Sequence, residues 1–310
     1  MRQDIEFNSE GETCRGWLFT PDDGPGPFPA VVMAGGWCYT KEIVMPGAAE
    51  AFVREGLAAI VFDYRNLGIS DGDRRQHIDP RAQIEDYKNA ISFAEAHPKI
   101  DASRIGVWGI SYSGGHALIV GATDPRVKCI VSNVAVVDGW ANMQRVHGER
   151  KLRKLQEMIA ADRSRRYEGD PNEGYIPMAS ADPDNEMAVW NYPEVYDVFM
   201  DLKATSAPLH EHYSTIESAE LLLDYTVYPF LRRIVDTPTL MIIAEKDNIT
   251  LWDLETEVFN LLPTPNKKRF VLPDISHMTL YSEETATELA ANQAADFLKD
   301  HLGAEATVPA

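Results

Sequence analysis

One segment of the chain carries two serines among glycines, directly after a run of apolar residues. It reads VWGISYSGG and spans Val107 to Gly115. Ser111 is the stronger candidate for a nucleophile, because small residues stand two positions before and after it, at Gly109 and Ser113. A sharp strand-to-helix turn that presents a nucleophile requires small residues there, since the backbones approach closely. Ser113 would lie in the first helical turn, where we expect it to cap the helix or pack.

A serine becomes nucleophilic when a histidine takes its proton and a carboxylate orients that histidine. Of the eight histidines, His277 stands on the loop after the last predicted strand, in VLPDISHMTLY. Asp247 ends the segment TLMIIAEKD, at the carboxyl end of the preceding strand. Glu245 would share a side of that strand with Asp247 but lie deeper, and Asp253 and Asp274 are rivals with expected surface roles. The sequence therefore predicts a Ser–Asp–His triad.

Acyl transfer also requires hydrogen-bond donors where the carbonyl oxygen of the substrate becomes negative. The backbone N–H of Tyr112, directly after the candidate nucleophile, would be one donor. The other would come from MAGGWCY, with Trp37 as the donor, because Gly35 and Gly36 let this backbone approach closely. The alternative for these glycines is an ordinary turn after a strand.

Several side chains are weaker candidates for binding a substrate, because a buried packing role explains them equally well. These weak candidates are Tyr39, Cys38, Trp140 and Trp190. His210, Glu211 and His212 form a short H-E-H, but no third ligand stands at a plausible metal-site spacing. We therefore expect neither a metal nor a cofactor.

Alternating strand and helix patterns predict the frame that positions these residues. An antiparallel hairpin around Gly11 is expected at a sheet edge. Apolar runs that suit strands buried on both faces are AVVMAGG, LAAIVFDYR, RIGVWG, VKCIVSNVAVV, TPTLMIIAEKD and KKRFVLPDISH. Helical patterns separate them, which predicts an α/β fold: a doubly wound, mostly parallel sheet with helices on both faces. In such sheets ligands bind at the carboxyl ends of the strands, where the candidate residues stand.

The regular pattern fails in the middle of the chain, which predicts an insertion. We expect residues 1–137 to form the first part of an α/β core and residues 236–302 the second part. Residues 138–235 are rich in charged and aromatic side chains, and we expect them to form a mostly helical cap over the strand ends. Residues 303–310 would be a frayed tail.

Composition restricts the partners. The net charge of −19, from 48 acids and 29 bases, argues against nucleic acid and anionic membranes as partners. We expect a small-molecule acyl substrate and leave a homodimer open. The three cysteines form no disulfide framework or CxxC pattern, and the amino-terminal residues lack the apolar core of a signal peptide. A cytoplasmic location is the expectation.

The motifs GISYSGG, AGGWCYTKE, DYRNLGISDG, AEKD and LPDISH together resemble the α/β-hydrolase superfamily over nearly the whole chain, except residues 138–235. Within it the chain is most similar to the dienelactone-hydrolase-like and X-prolyl-peptidase/cocaine-esterase-like branch, which includes fungal polyketide hydrolases and transferases. The resemblance implies the triad and both backbone donors. Dienelactone hydrolases proper have cysteine where this chain has Ser111, which favours serine-hydrolase chemistry. Gly35 stands where many members carry histidine, so the hydrogen bonding of this loop need not follow theirs.

We therefore expect a serine hydrolase that cleaves a carboxylic ester or thioester of a small organic or polyketide-like substrate through an acyl-enzyme on Ser111. Hydrolysis of a C–C bond or an amide, or acyl transfer to another acceptor, are alternatives on the same fold. A non-catalytic binding protein is disfavoured, because all three residue types of the triad stand at strand ends.

Overall fold

The computed structural model describes residues 1–22, 24 and 26–303. The predicted tail therefore lies outside the described residues, except for Gly303. The strands are β1 (Arg2–Ser9), β2 (Glu12–Phe19), β3 (Phe28–Ala34), β4 (Ala58–Phe62), β5 (Ile100–Ile110), β6 (Val127–Asn133), β7 (Tyr175–Pro177), β8 (Tyr213–Thr215), β9 (Thr239–Ala244) and β10 (Lys267–Leu272). The helices are α1 (Met45–Arg54), α2 (Pro80–Ala96), α3 (Tyr112–Thr123), α4 (Gly139–Tyr167), α5 (Pro193–Thr205), α6 (Ile216–Leu223), α7 (Tyr228–Leu231), α8 (Trp252–Leu261), α9 (Thr279–Ser282) and α10 (Glu284–Leu302).

Eight strands form one sheet in the order β1-β2-β4-β3-β5-β6-β9-β10. The strands from β4 to β10 in this order are parallel neighbours. β1 and β2 form the antiparallel hairpin at one edge, and β2 runs antiparallel to β4. The predicted fold class, a mostly parallel α/β sheet with an edge hairpin, is confirmed.

The burial pattern explains this order. Every residue of β4 and β9 is buried, as is typical of strands covered by helices on both faces. In β1 buried and exposed residues alternate over its second half, which suits an edge strand with one solvated face. Among the helices outside residues 138–235, α1 packs with α10 and α2 packs with α3.

The stretch between β6 and β9 adds no strand to the large sheet. It contains α4 to α7 and the small antiparallel pair of β7 and β8. α4 begins after Asp138, whose side chain accepts a hydrogen bond from the N–H of Ala141, and kinks at Gly148. That residues 138–235 form a cap remains a prediction. Among the described residues we find no helix whose length and hydropathy suit a membrane span.

The predicted strand VKCIVSNVAVV is too long at its carboxyl end, because β6 ends at Asn133. Val134 has a φ of 40°, which turns the backbone out of the extended conformation. Its N–H still donates to Ile242 O, but the N–H of Val136 donates to the carbonyl oxygen of Ser111. The apolar run therefore continues past the strand to support the turn at Ser111.

A buried histidine joins this core to the 138–235 segment. His116 on α3 is inaccessible to solvent, and its Nε2 lies 3.0 Å from Gln83 Oε1 on α2. Its Nδ1 lies 2.9 Å from the hydroxyl of Tyr225. An amide oxygen can only accept, so Nε2 carries the proton and Nδ1 accepts from the tyrosine. Burial lowers the pKa of His116 to about 3, so the ring is neutral near neutral pH.

We expect this histidine to make the fold sensitive to acid. An unfolded histidine takes up a proton near pH 6.5, well before the folded one does, so stability falls as the pH drops below that value. The variant His116→Asn should reduce the slope of unfolding free energy against pH, between about pH 6 and 4.5, by about 1.4 kcal/mol per pH unit. Urea denaturation at several pH values measures this slope. The exposed His301→Asn is the control, and an unchanged slope in His116→Asn would refute the assignment.

Candidate active site

Four strands of the parallel part of the sheet bring the candidate residues to one edge of the sheet. Trp37 follows β3, Ser111 follows β5, Asp247 follows β9 and His277 follows β10. Ala34, the last residue of β3, pairs with Gly109, near the end of β5, and the last residues of β9 and β10 also pair. The strand ends are thus level, and the loops after them meet.

Ser111 has a strained backbone of the kind that presents a nucleophile. Its φ of 59° and ψ of −122° lie outside the favoured regions for a residue with a side chain. Two hydrogen bonds hold this conformation: Ser111 N–H donates to Asn133 O at 2.9 Å, and its carbonyl oxygen accepts from Val136 N–H at 3.0 Å. A Cβ on Gly109 would lie 2.0 Å from the carbonyl oxygen of Ser113, so the turn requires glycine there.

Ser113 has a different role from its neighbour. Its hydroxyl accepts from Ile110 N–H at 2.8 Å and donates to Ala34 O at 2.6 Å. Because it is completely buried and joins β5 to β3, it is unavailable as a nucleophile. This placement agrees with the packing role expected from the sequence.

His277 and Asp247 are hydrogen-bonded to each other. His277 Nδ1 lies 2.7 Å from Asp247 Oδ2, and a carboxylate oxygen accepts, so Nδ1 carries the proton. Nε2 is then left with a lone pair, as a general base requires. Tyr281 lies close by, with its hydroxyl 3.5 Å from this Nε2.

The Asp247 carboxylate is held from three further directions. The backbone N–H groups of Ile249 and Thr250 donate to Oδ1 at 2.8 Å, and the Thr250 hydroxyl donates to Oδ2 at 2.8 Å. Burial acts to raise the pKa of Asp247, but His277 and the Thr250 donors outweigh burial and hold this pKa below its usual value. The carboxylate therefore stays ionised and orients the imidazole.

The rival acids lie at the surface. Glu245 is exposed and accepts from the N–H of Asp274, whose own carboxylate pairs with Lys246. Asp253 pairs with Arg145. The expectation that Glu245 lies deeper than Asp247 is wrong, because β9 ends at Ala244 and strand alternation does not continue beyond it.

Ser111 and His277 line the same small, partly open cavity. Apart from these two residues its wall is apolar or aromatic, formed by Trp37, Tyr39, Met178, Trp190, Val195, Phe199, Ile249 and Met278. No carboxylate or ammonium group lines it. Such a cavity suits an uncharged apolar group next to the serine.

The loop Gly35–Tyr39, here called the GGWCY loop, approaches the serine closely. A Cβ on Gly36 would lie 2.9 Å from Ser111 Cβ and 3.2 Å from its Oγ. Within the described residues, the N–H groups of Trp37 and Tyr112 have no hydrogen-bond acceptor. Two free backbone donors beside a nucleophile can stabilise an oxyanion.

We expect Gly36→Ala to impair catalysis without unfolding the protein. The new methyl group would push the loop away from Ser111, and a displacement of about 1 Å at a reacting centre can cost about 10²-fold in rate. The control is Gly47→Ala on α1, where an added Cβ meets no atom within 4 Å. Steady-state kinetics with an activated ester, together with thermal unfolding, measure both effects. Equal kcat/KM values in Gly36→Ala and the parent would contradict the proposed loop role.

The weaker substrate-binding candidates divide into two groups. Tyr39 and Trp190 line the cavity, whereas Cys38 and Trp140 do not. The Cys38 thiol faces the carbonyl oxygen of Tyr213, 3.3 Å away, because a φ of 60° turns this residue relative to its neighbours. Trp140 is about half exposed at the start of α4. A role of these two residues in binding a substrate therefore stays a prediction, which the lining of this cavity does not support.

Other wall and support residues had no predicted role. The sequence gives no indication that four apolar wall residues line a cavity, because such residues are equally typical of any hydrophobic core. These residues are Met178, Val195, Ile249 and Met278. Tyr281 stands one helical turn after His277, and this spacing could have identified it.

Comparison with known proteins now assigns the family. The family described as X-Pro dipeptidyl-peptidase (S15 family) matches residues 17–279. The chain belongs to this family. It is a hydrolase of the α/β-hydrolase superfamily, in agreement with its sheet.

Named relatives extend over nearly the full chain. The polyketide transferase af380 of Aspergillus fumigatus is 30% identical over 97% of this chain and 99% of its own length. A thiohydrolase of Eupenicillium brefeldianum is 30% identical over 97% of this chain and 95% of its own. The crystal structure of the α/β hydrolase GrgF from Penicillium sp. sh18 superposes with a TM-score of 0.82 at 24% identity, covering 98% and 100% of the two chains.

Proposed function

We propose that the protein is a serine hydrolase that cleaves an uncharged carboxylic ester or thioester through an acyl-enzyme on Ser111. The observation that carries this proposal is the shared cavity of Ser111 and His277, with His277 bonded to the ionised Asp247. A strained serine, a base with a free lone pair and two unused N–H donors form the complete set for acyl transfer.

The reaction has two steps. His277 Nε2 takes the hydroxyl proton as Ser111 Oγ attacks the carbonyl carbon, and the Trp37 and Tyr112 N–H groups stabilise the oxyanion. The protonated His277 then gives its proton to the leaving alcohol or thiol as the bond to it breaks. Water enters, loses a proton to His277 and attacks the acyl-enzyme. The acid leaves, and the proton returns to Ser111.

The cavity wall supports an apolar acyl group. Aromatic side chains such as Phe199 and Trp190 surround the serine, and a charged acyl group would lose its hydration there without a partner. The relatives named thiohydrolase and polyketide transferase support a thioester or ester of a polyketide-like acid.

Acyl transfer to an acceptor other than water is the second candidate. It is favoured by the relative named polyketide transferase, which matches the chain over nearly its whole length. In this case the acceptor hydroxyl or amine, rather than water, would lose its proton to His277. The chemistry up to the acyl-enzyme is the same.

A panel of p-nitrophenyl esters from acetate to decanoate, followed by the matching thioesters, tests the proposal. In water labelled with ¹⁸O, we expect one labelled oxygen in each acid released, and no turnover by Ser111→Ala. Appearance of the acyl group on an added alcohol instead of labelled acid would favour transfer. Absence of turnover and of acylation with every ester and thioester would overturn both candidates.

We also propose a cytoplasmic location. All three cysteines are free and buried, and free thiols are typical of reducing compartments. Cell fractionation with antibodies against the chain tests this, and recovery from a secreted fraction would overturn it.

A further inference from the structure

His210 of the H-E-H motif contacts the GGWCY loop, and His212 of the same motif contacts His210. His210 Nδ1 lies 3.0 Å from the carbonyl oxygen of Cys38, and His210 Nε2 lies 3.1 Å from His212 Nδ1. His212 Nε2 lies 3.3 Å from the N–H of Ala179 and 3.2 Å from its carbonyl oxygen. His210 is completely buried. The two rings thus form a continuous chain between two segments of backbone.

The Cys38 carbonyl fixes the direction of every hydrogen bond in this chain. A carbonyl oxygen only accepts, so His210 carries its proton on Nδ1, and Nε2 accepts from His212 Nδ1–H. His212 Nε2 then accepts from Ala179 N–H. Burial is the main cause that lowers the pKa of each ring to about 4, so both rings are neutral at the pH where His277 acts as a base.

The peptide that receives this bond is strained. Cys38 has a φ of 60°, in the left-handed region that residues with a side chain rarely adopt. On the other side of the same peptide, the N–H of Tyr39 makes only a long bond of 3.4 Å to Gly36 O. The hydrogen bond from His210 is therefore the stronger restraint on this peptide.

Both ends of the histidine chain meet the cavity wall. Trp37 and Tyr39, the neighbours of Cys38, line the cavity, and so does Met178, the neighbour of Ala179. The N–H of Met178 donates to the carbonyl oxygen of His212 at 2.9 Å. The same two histidines therefore contact two segments that both contribute to the cavity wall.

The two histidines of the H-E-H motif face backbone groups and each other. Among the described residues, no group of three or more histidine, cysteine or acidic side chains has the geometry of a metal site. The Glu211 carboxylate pairs with Lys203 Nζ at 3.4 Å.

We propose that His210 is a positioning residue for the serine hydrolase reaction. Its Nδ1–H holds the Cys38 carbonyl, which keeps the strained GGWCY loop in place and aims the N–H of Trp37 at the developing oxyanion. His212 fixes the tautomer in which His210 can donate. This inference rests on the proposed function.

Two substitutions at His210 separate the hydrogen bond from the volume of the ring. His210→Leu removes the donor, whereas the amide nitrogen of His210→Asn reaches the place of Nδ1 and can still donate to Cys38. With a p-nitrophenyl ester we expect His210→Leu to lower kcat by about 10- to 100-fold, with KM changed by less than about 3-fold. His210→Asn should recover most of the loss. His77→Leu, which removes a half-buried histidine bonded to Thr215, is the control and should keep the parent kcat.

A spectroscopic measurement tests the hydrogen bond from His210 to Cys38 without relying on enzyme activity. Ring ¹⁵N spectra of the unmodified protein should show the proton of both His210 and His212 on Nδ1, with assignment from the single variants. A proton on Nε2 of His210, or a folded His210→Leu with the parent kcat, would overturn the positioning role and leave the proposed function intact. An inactive parent would overturn the proposed function, and the ring spectra would still decide whether the His210–Cys38 bond exists.

Discussion

Ser111→Ala is expected to lower kcat for ester hydrolysis by about 10⁴-fold or more, since a triad without its nucleophile retains only binding and oxyanion stabilisation. Labelling by a fluorophosphonate should disappear as well. The turn at Ser111 is held by its backbone bonds to Asn133 and Val136, which the substitution keeps, so the thermal unfolding midpoint should stay close to that of the parent. Activity and unfolding together separate loss of chemistry from loss of fold.

Ser113→Ala is the matched control, because it removes a hydroxyl two residues away. This change leaves Ile110 N–H without its acceptor, and we expect a loss of about 1–3 kcal/mol in the free energy of unfolding. The folded fraction should still react with the fluorophosphonate. Equal labelling of Ser111→Ala and the parent, or a folded Ser113→Ala that no longer labels, would refute the choice of nucleophile.

Asp247→Asn is expected to lower kcat by about 10³–10⁴-fold. The amide can present N–H to His277 Nδ1, which favours the tautomer with the proton on Nε2 and removes the lone pair that accepts the serine proton. The loss should lie in kcat rather than in KM, because Asp247 does not line the cavity.

Glu245→Gln is the control for Asp247→Asn, since Glu245 is an exposed carboxylate after the same strand. Parent activity is expected for it in the same steady-state assay. An Asp247→Asn variant within about tenfold of the parent kcat, a far smaller loss than a disrupted tautomer causes, would show that another group orients His277.

The sequence predicted the frame of the site well, for a physical reason. Strands buried on both faces are continuous apolar runs, and the polar residue that follows such a run marks the edge where parallel strands end. Ser111 and Asp247 were found in this way. The sharp turn at Ser111 could be predicted because only glycine fits at position 109. Any side chain there would collide with the carbonyl oxygen of Ser113.

Side-chain directions beyond the strand ends could not be read from the sequence. Asp247 and Glu245 are separated by only one residue, yet a turn after Ala244 buries the first and exposes the second. Cys38 points out of the cavity because its φ is positive. The residue types in GGWCY do not predict this backbone conformation. Trp140 and Trp190 look alike in sequence, and only packing distinguishes the exposed one from the buried one.

The histidine chain illustrates the same limit. His210 and His212 resemble part of a metal site by spacing, but their partners are a backbone carbonyl and a backbone N–H from distant segments. Every residue type has a backbone carbonyl and almost every type has a backbone N–H, so such partners cannot be recognised in the sequence. The link from this motif to the GGWCY loop therefore emerged only from the fold.

Mass spectrometry of the trapped acyl-enzyme tests the central claim most directly. The protein would be mixed with an activated ester, quenched in acid within the first turnover and digested with trypsin, which cuts after Arg104 and Arg126 and releases the peptide 105–126. We expect the mass of the acyl group on this peptide, with fragment ions that place it on Ser111 and not on Tyr112 or Ser113. An acyl group on any other residue, or release of the leaving group in the first turnover without a covalent adduct, would contradict the account.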